Sequence, residues 1–283
     1  MTRTIVIMLF IAVWASACAA PSPATNTPAS PDITPLAPAA EATAEPSAEP
    51  TAAPLGPQRV TFNLADGTEI VGTFYPPSLA PAPGVLLAHQ RGMDRRAWEP
   101  LIQGLQGQLS RSASTAGDSK PNYAVFAIDL PGHGESGGQW TDAGGLEATR
   151  LALQLFRAMG GVDSERMVII GASIGADAAV DECKEGCVGA VSLSPGSFLG
   201  VDYNTALAAL GDRPVLCVAS KEDGPSAATC EGGKSVGLKN YQVQIYDGAL
   251  HGNYLILQNA EVGPAPQPLP LILEWLAINV PLK

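Results

Sequence analysis

Apolar residues fall along this chain in distinct regimes. From Arg59 to Leu64 and from Thr68 to Tyr75 they alternate with polar ones around Ala65-Asp66-Gly67. A period of two with a Gly-containing turn predicts a hairpin of two half-buried antiparallel strands. The pattern then changes to short apolar runs at Gly84 to Ala88, Tyr123 to Ile128, Met167 to Ile170, Val188 to Leu193, Pro214 to Ala219 and Val243 to Tyr246. Such runs are expected of strands buried on both faces of a parallel sheet. Helical faces lie between them, at Trp98-Leu101-Ile102-Leu105-Leu109 and Leu146-Leu151-Leu153-Leu155-Phe156, and Pro268 to Ile278 reads as a closing helix. Strand alternating with helix predicts an α/β fold: a doubly wound, mostly parallel sheet of about eight strands with an antiparallel start.

The first 58 residues follow another rule. Of the 40 residues from 19 to 58, 30 are Ala, Pro, Thr or Ser, with four acidic and no basic side chains, a composition that predicts an extended spacer and no core. In polyproline II geometry it would reach roughly 120 Å. Before it, Arg3, the apolar run Ile5 to Trp14 and the small residues Ala15-Ser16-Ala17 have the three parts of an export signal. Cys18 follows directly, and the arrangement resembles a bacterial lipoprotein signal, which implies lipidation of Cys18 after removal of residues 1–17. Cleavage by ordinary signal peptidase is the alternative; both predict export. The expected organisation is therefore a signal peptide (1–17), a lipidated Cys18 with a disordered tether (18–58) and one folded domain (59–283), lipid-anchored in the bacterial cell envelope on the outer or periplasmic face of a membrane.

A net charge of −11 opposes a polyanion partner, since a nucleic-acid site needs clustered Lys and Arg. With Cys18 set aside, Cys183, Cys187, Cys217 and Cys230 allow three disulfide pairings, of which 183 with 187 and 217 with 230 is the most local; buried free thiols are the other reading. Neither a Gly-x-Gly-x-x-Gly turn after the first parallel strand nor a phosphate-binding Gly-x-x-x-x-Gly-Lys-Ser/Thr loop occurs, so a nucleotide cofactor is not expected. Metal-ligand spacing is lacking as well. No cofactor and no metal are predicted.

The chemistry concentrates in Gly171-Ala172-Ser173-Ile174-Gly175. It follows a strand directly and opens a helix-compatible stretch from Ala176 to Cys183, the context in which Gly-x-Ser-x-Gly raises a serine on a tight turn. Small flanking residues let strand and helix approach closely, and the amide of Ile174 is left to face a developing oxyanion. Gly134-Glu135-Ser136-Gly137-Gly138 also matches, but lies in a glycine-rich loop with no helix behind it, so Ser136 reads as a decoy. Of the three histidines, His251 follows the last strand, where α/β sheets open their sites, and is the expected base. His89, at the end of the first parallel strand, is expected to shape the facing loop. Asp223, after the preceding strand, is the expected partner of His251, with Glu222 its nearest rival.

Together these residues resemble the α/β-hydrolase superfamily across positions 59 to 283. Ala88-His89-Gln90-Arg91-Gly92 is similar to its oxyanion loop, with Gln90 where glycine is usual, and Asp129-Leu130-Pro131-Gly132-His133-Gly134-Glu135-Ser136 is similar to its loop after the next strand. The resemblance implies a second oxyanion donor at the Arg91 amide. Only Phe198 to Arg213 separates the sixth and seventh strands, so no large cap domain is expected. The site would be open, resembling the compact dienelactone-hydrolase-like members, with serine in place of their cysteine. Arg91, Arg95 and Arg96 are either solvated or ready for an acidic substrate group. The expected activity is ester hydrolysis of a small molecule through an acyl-serine. A peptidase or amidase on the same triad, or a non-catalytic tethered binding protein, are the alternatives.

Overall fold

The computed structural model of the chain describes residues 56–108, 122–258 and 265–282. The export signal, Cys18, residues 19–55 of the expected tether and Leu109 lie outside the described residues. All the described residues belong to one unit, Pro50–Lys283.

Strands β1 (Gln58–Asn63) and β2 (Glu69–Tyr75) form the expected hairpin, in register from Gln58 opposite Phe74 to Asn63 opposite Glu69. Its turn closes through the Leu64 amide, which donates to the Thr68 carbonyl at 2.9 Å. Gly67 takes φ +86° there, a conformation glycine adopts without a Cβ penalty. Six more strands follow: β3 (Ala82–Ala88), β4 (Ala124–Ile128), β5 (Val162–Ala172), β6 (Gly189–Leu193), β7 (Val215–Ser220) and β8 (Tyr241–Tyr246). The sheet runs β1-β2-β4-β3-β5-β6-β7-β8. β2 meets β4 antiparallel, and every pair from β4 through β8 is parallel. The eight-stranded, mostly parallel sheet is the one the sequence implied.

Both faces of the central strands are covered, and the period of two explains how. Leu86, Phe126, Met167 and Ile169 enter one core with Phe156 of α2 (Asp142–Arg157) and Val180 of α3 (Ile174–Glu182). Their neighbours Val85, Leu87, Val168 and Ile170 enter the other, with Leu101 of α1 (Glu99–Leu105) and Trp275 of the closing helix Pro268–Asn279. Alternate residues of one apolar strand thus serve two hydrophobic layers. β8 departs from the expected full burial: it has β7 on one side only, and Tyr246 is its one buried residue.

Helix α2 is capped by the Thr141 hydroxyl, which accepts the Gly144 amide at 3.0 Å. Its buried face is Ala148, Thr149, Ala152, Leu153 and Phe156, so the small residues pack inward while Leu146, Leu151 and Leu155 are half-buried. Two helices that the periodicity did not single out complete the layer, α4 (Tyr203–Ala209) and α5 (Ser226–Gly233). α4 is the only helix in the short connection between β6 and β7, and no cap domain is inserted there. The cysteines pair locally, Cys183 with Cys187 and Cys217 with Cys230; the second disulfide ties β7 to α5.

Candidate active site

β5 ends at Ala172 and α3 begins at Ile174, so the turn between them is Ser173 alone. Ser173 stands at φ +54°, ψ −115°, outside the ordinary regions for a side-chain-bearing residue. Its amide donates to the Leu193 carbonyl at 2.8 Å, and its carbonyl accepts the amides of Ala176 and Asp177. The backbone on both sides of the strained residue is thereby fixed. A methyl group on Gly171 would collide with the Gly175 carbonyl, and one on Gly175 with the Ala88 carbonyl. That is the physical reason for glycine at both positions of Gly-x-Ser-x-Gly.

His251 lies in the loop after β8, with Nδ1 at 2.7 Å from Asp223 Oδ1. Asp223 is buried in the loop after β7, while its rival Glu222 is exposed. His251 Nε2 forms no hydrogen bond among the described residues, and none joins the Ser173 hydroxyl to His251. The ring of Phe198 stands edge-on to the imidazole at 6.3 Å between centroids. Next to His251, the Gly252 amide donates to Ser194 Oγ at 2.9 Å.

His89 is fully buried and its two nitrogens are committed. Nε2 accepts the Leu130 amide at 2.9 Å, so the ring proton sits on Nδ1 and is donated to the Gln90 carbonyl at 2.7 Å. Burial, first, and the neighbouring His133 lower its pKa to about 4. A neutral ring with no free nitrogen is a scaffold. Because a trans peptide is planar, holding the Gln90 carbonyl also sets the direction of the Arg91 N–H. Neither the Arg91 amide nor the Ile174 amide has an acceptor among the described residues, and both follow strand ends that are adjacent in the sheet.

Ser136 has a structural duty. Its hydroxyl donates to the Asp129 carbonyl at 2.7 Å and accepts the Val71 amide at 2.8 Å, stitching the loop after β4 to β2. The buried Asp129 carboxylate pairs with the Arg95 guanidinium and accepts the Glu135 amide at 2.8 Å. Arg95 also pairs with Glu135, and Arg96 with Asp94. Among the described residues, Arg91 alone of the three loop arginines has no carboxylate partner; its guanidinium lies 5.4 Å over the Trp140 ring.

Sequence reasoning missed Asp177, Ser194 and Asn253. Asp177 is buried on α3, and its carboxylate accepts the amides of Gly196, at 3.2 Å, and Phe198, holding the loop that presents Phe198 to His251. Burial pushes its pKa up to about 6 against those hydrogen bonds. An acidic residue inside an Ala-rich helix was the available signal. Among the described residues, no group of three or more His, Cys, Asp or Glu side chains is placed to hold a metal.

Residues 85–258 match the model of the alpha/beta hydrolase family. The chain is 31% identical over 126 residues to the uncharacterized protein YfhR of Escherichia coli (strain K12), covering 43% of this chain and 40% of YfhR. It therefore spans about two fifths of that relative's length. Among solved structures it is similar to the Pyrococcus furiosus esterase Pf2001, with TM-score 0.61 and 17% identity over 80% of this chain and 91% of the esterase. It is also similar to the alpha/beta hydrolase GrgF from Penicillium sp. sh18, with TM-score 0.62 and 13% identity over 80% and 99%.

Proposed function

The chain belongs to the alpha/beta hydrolase family, and on that premise we propose that it is an exported serine hydrolase cleaving a carboxylic ester of a small molecule. Ser173 Oγ attacks the carbonyl carbon while His251 Nε2 takes the hydroxyl proton, then returns it to the departing alcohol. Water next attacks the acyl-serine, with His251 again as base, releasing the acid and restoring Ser173. Asp223 holds the Nδ1 proton and stabilises the imidazolium in both halves. The amides of Ile174 and Arg91 receive the oxyanion.

The observation that carries this reading is the contact between His251 Nδ1 and the buried Asp223 Oδ1 at 2.7 Å. It sets the tautomer that leaves Nε2 able to accept a proton. The strained turn at Ser173 would supply the nucleophile this base serves, and the acceptor-free amides of Ile174, next in the chain, and Arg91, after the neighbouring strand β3, are the candidates for its oxyanion site. Apo enzymes often lengthen the serine–histidine contact, which tightens only with substrate. The same reading includes a lipid on Cys18 and a spacer from 18 to 58, which would hold the domain above a membrane.

The test is labelling of the purified protein with a fluorophosphonate, alongside Ser173→Ala and Ser136→Ala, followed by a panel of aryl esters and peptide amides. Labelling lost only in Ser173→Ala, with turnover of esters, is expected. A folded wild type that takes no label overturns the hydrolase mechanism; turnover of amides in preference to esters replaces the substrate class. Metabolic incorporation of a fatty acid that vanishes in Cys18→Ser tests the anchor.

A further inference from the structure

Three consecutive residues of the histidine loop are each tied to a different strand end. His251 is held by Asp223 after β7, and the Gly252 amide by Ser194 after β6. The Asn253 amide donates to Gln90 Oε1, after β3, at 2.7 Å. This last tie is returned: the Gln90 amide donates to Asn253 Oδ1 at 3.1 Å. The partners are 163 positions apart and 7% and 0% exposed. Each side-chain amide accepts the other's backbone N–H, so both buried donors are satisfied only while the two loops stay in register.

The pair depends on its neighbours. Gly252 takes φ +55°, and a methyl there would run into Gln90 Oε1. A glycine at position 90 would supply the backbone donor and no acceptor, so the reciprocal tie exists because glutamine stands there. Gln90 also lies between His89, which grips its carbonyl at 2.7 Å, and Arg91, whose amide direction that grip sets. One end of the tie is thus adjacent to the proposed oxyanion donor, and the other is two residues from the proposed base.

We propose that Gln90 and Asn253 are positioning residues: by binding each other's backbone they lock the loop of the Arg91 amide to the loop of His251, keeping oxyanion donor and base in one register around Ser173. The inference rests on the serine-hydrolase reading of the same site. Misplacing catalytic groups by a fraction of an ångström slows chemistry with little effect on ground-state binding, so the loss belongs in kcat.

The test uses the full chain with Gln90→Met, which keeps length and drops the acceptor, Gln90→Glu, which keeps an acceptor oxygen, Asn253→Ala, and the Gln90→Met/Asn253→Ala double variant. Gln90→Met and Asn253→Ala are each expected to lower kcat for an aryl ester about 10- to 100-fold, with KM within about twofold of wild type. Gln90→Glu recovers most of the loss, and the double variant is no slower than the slower single. In parallel, the downfield Nδ1–H proton resonance of His251 exchanges with water faster in Gln90→Met and as in wild type in Gln90→Glu. Unchanged kcat in both single variants, equal losses in Gln90→Met and Gln90→Glu, or a His251 resonance indifferent to Gln90→Met each overturns the proposal. A wild type that hydrolyses no ester removes the hydrolase reading, and the resonance then decides the tie alone.

Discussion

Gly171 and Gly175 approach so closely that a Cβ on Gly171 would overlap the Gly175 carbonyl, and a Cβ on Gly175 would overlap the carbonyl of Ala88 in the next strand. The obstructing atoms are backbone, so no side chain can swing aside. Gly175→Ala is therefore expected to lose at least about 3 kcal/mol of stability. Urea unfolding checks it; a Gly175→Ala protein within experimental error of wild type would mean the turn yields more than its packing allows.

Between those glycines Ser173 carries strain of about 1–3 kcal/mol at φ +54°, part of which glycine's greater unfolded-state entropy offsets. Ser173→Gly should gain roughly 1 kcal/mol in stability and lose all covalent turnover. Ser173→Ala, with the Cβ retained, should be equally inactive without the gain. Thermal melts of the three proteins give the comparison.

Asp223→Asn leaves a side chain of the same shape against His251 Nδ1 but favours the wrong tautomer. The expected loss is about 10³- to 10⁴-fold in kcat. Glu222→Gln, one residue away and exposed, should stay within twofold or so of wild type. Steady-state kinetics on one aryl ester distinguishes the two carboxylates, and a reversed order of effects would reassign the partner of His251.

Ser136→Ala removes the acceptor of the Val71 amide and the donor to Asp129. Leaving the part-buried pair unmatched should cost about 1–3 kcal/mol while kcat is retained. Loss of turnover in a folded Ser136→Ala protein would contradict its structural assignment.

His89 gives a pH dependence. Its folded pKa, lowered mainly by burial to about 4 from 6.5, lies below that of the unfolded ring. Between pH 6.5 and 4 the unfolded chain binds a proton the folded chain does not, so this group's contribution falls as pH falls, by about 3 kcal/mol across the window. Asp177 acts oppositely: with its pKa raised by burial to about 6, the folded chain binds the extra proton between pH 6 and 3.8, and its contribution grows as pH falls. Imidazole resonances followed by NMR should put the His89 midpoint near 4; a midpoint above 6 would exclude the neutral, doubly bonded ring.

The sheet was legible because apolar runs, the Ala65–Gly67 turn and the strand-to-helix change at Ser173 are local signals. Ser173, Asp223 and His251 could be ordered along the chain for the same reason: each follows a strand. Gln90 was visible only as a departure from glycine, because its partner Asn253 is 163 residues away and a reciprocal pair leaves no periodic trace. The inward face of α2 was legible only in part. Leu153 and Phe156 do turn inward, but Ala148, Thr149 and Ala152 share that face while Leu146, Leu151 and Leu155 are half-buried, because small side chains suit a closely packed helix–sheet contact. The edge position of β8 likewise depends on strand order, which its own sequence does not carry.

The chain reaches the sheet through β1, the outermost strand and four strand spacings, about 19 Å, from β5 and the Ser173 turn. Gln58 pairs with Phe74 at the end of the hairpin far from its turn. A pull on the preceding residues, directed off that edge, breaks backbone bonds one after another from Gln58 toward Asn63, the geometry that yields at low force. The hairpin would give way first and dissipate the load, leaving β3, β5 and the loops around Ser173 unstretched. Single-molecule pulling from residue 57 should register this as a small early release of Gln58–Asn63, well before the central strands part.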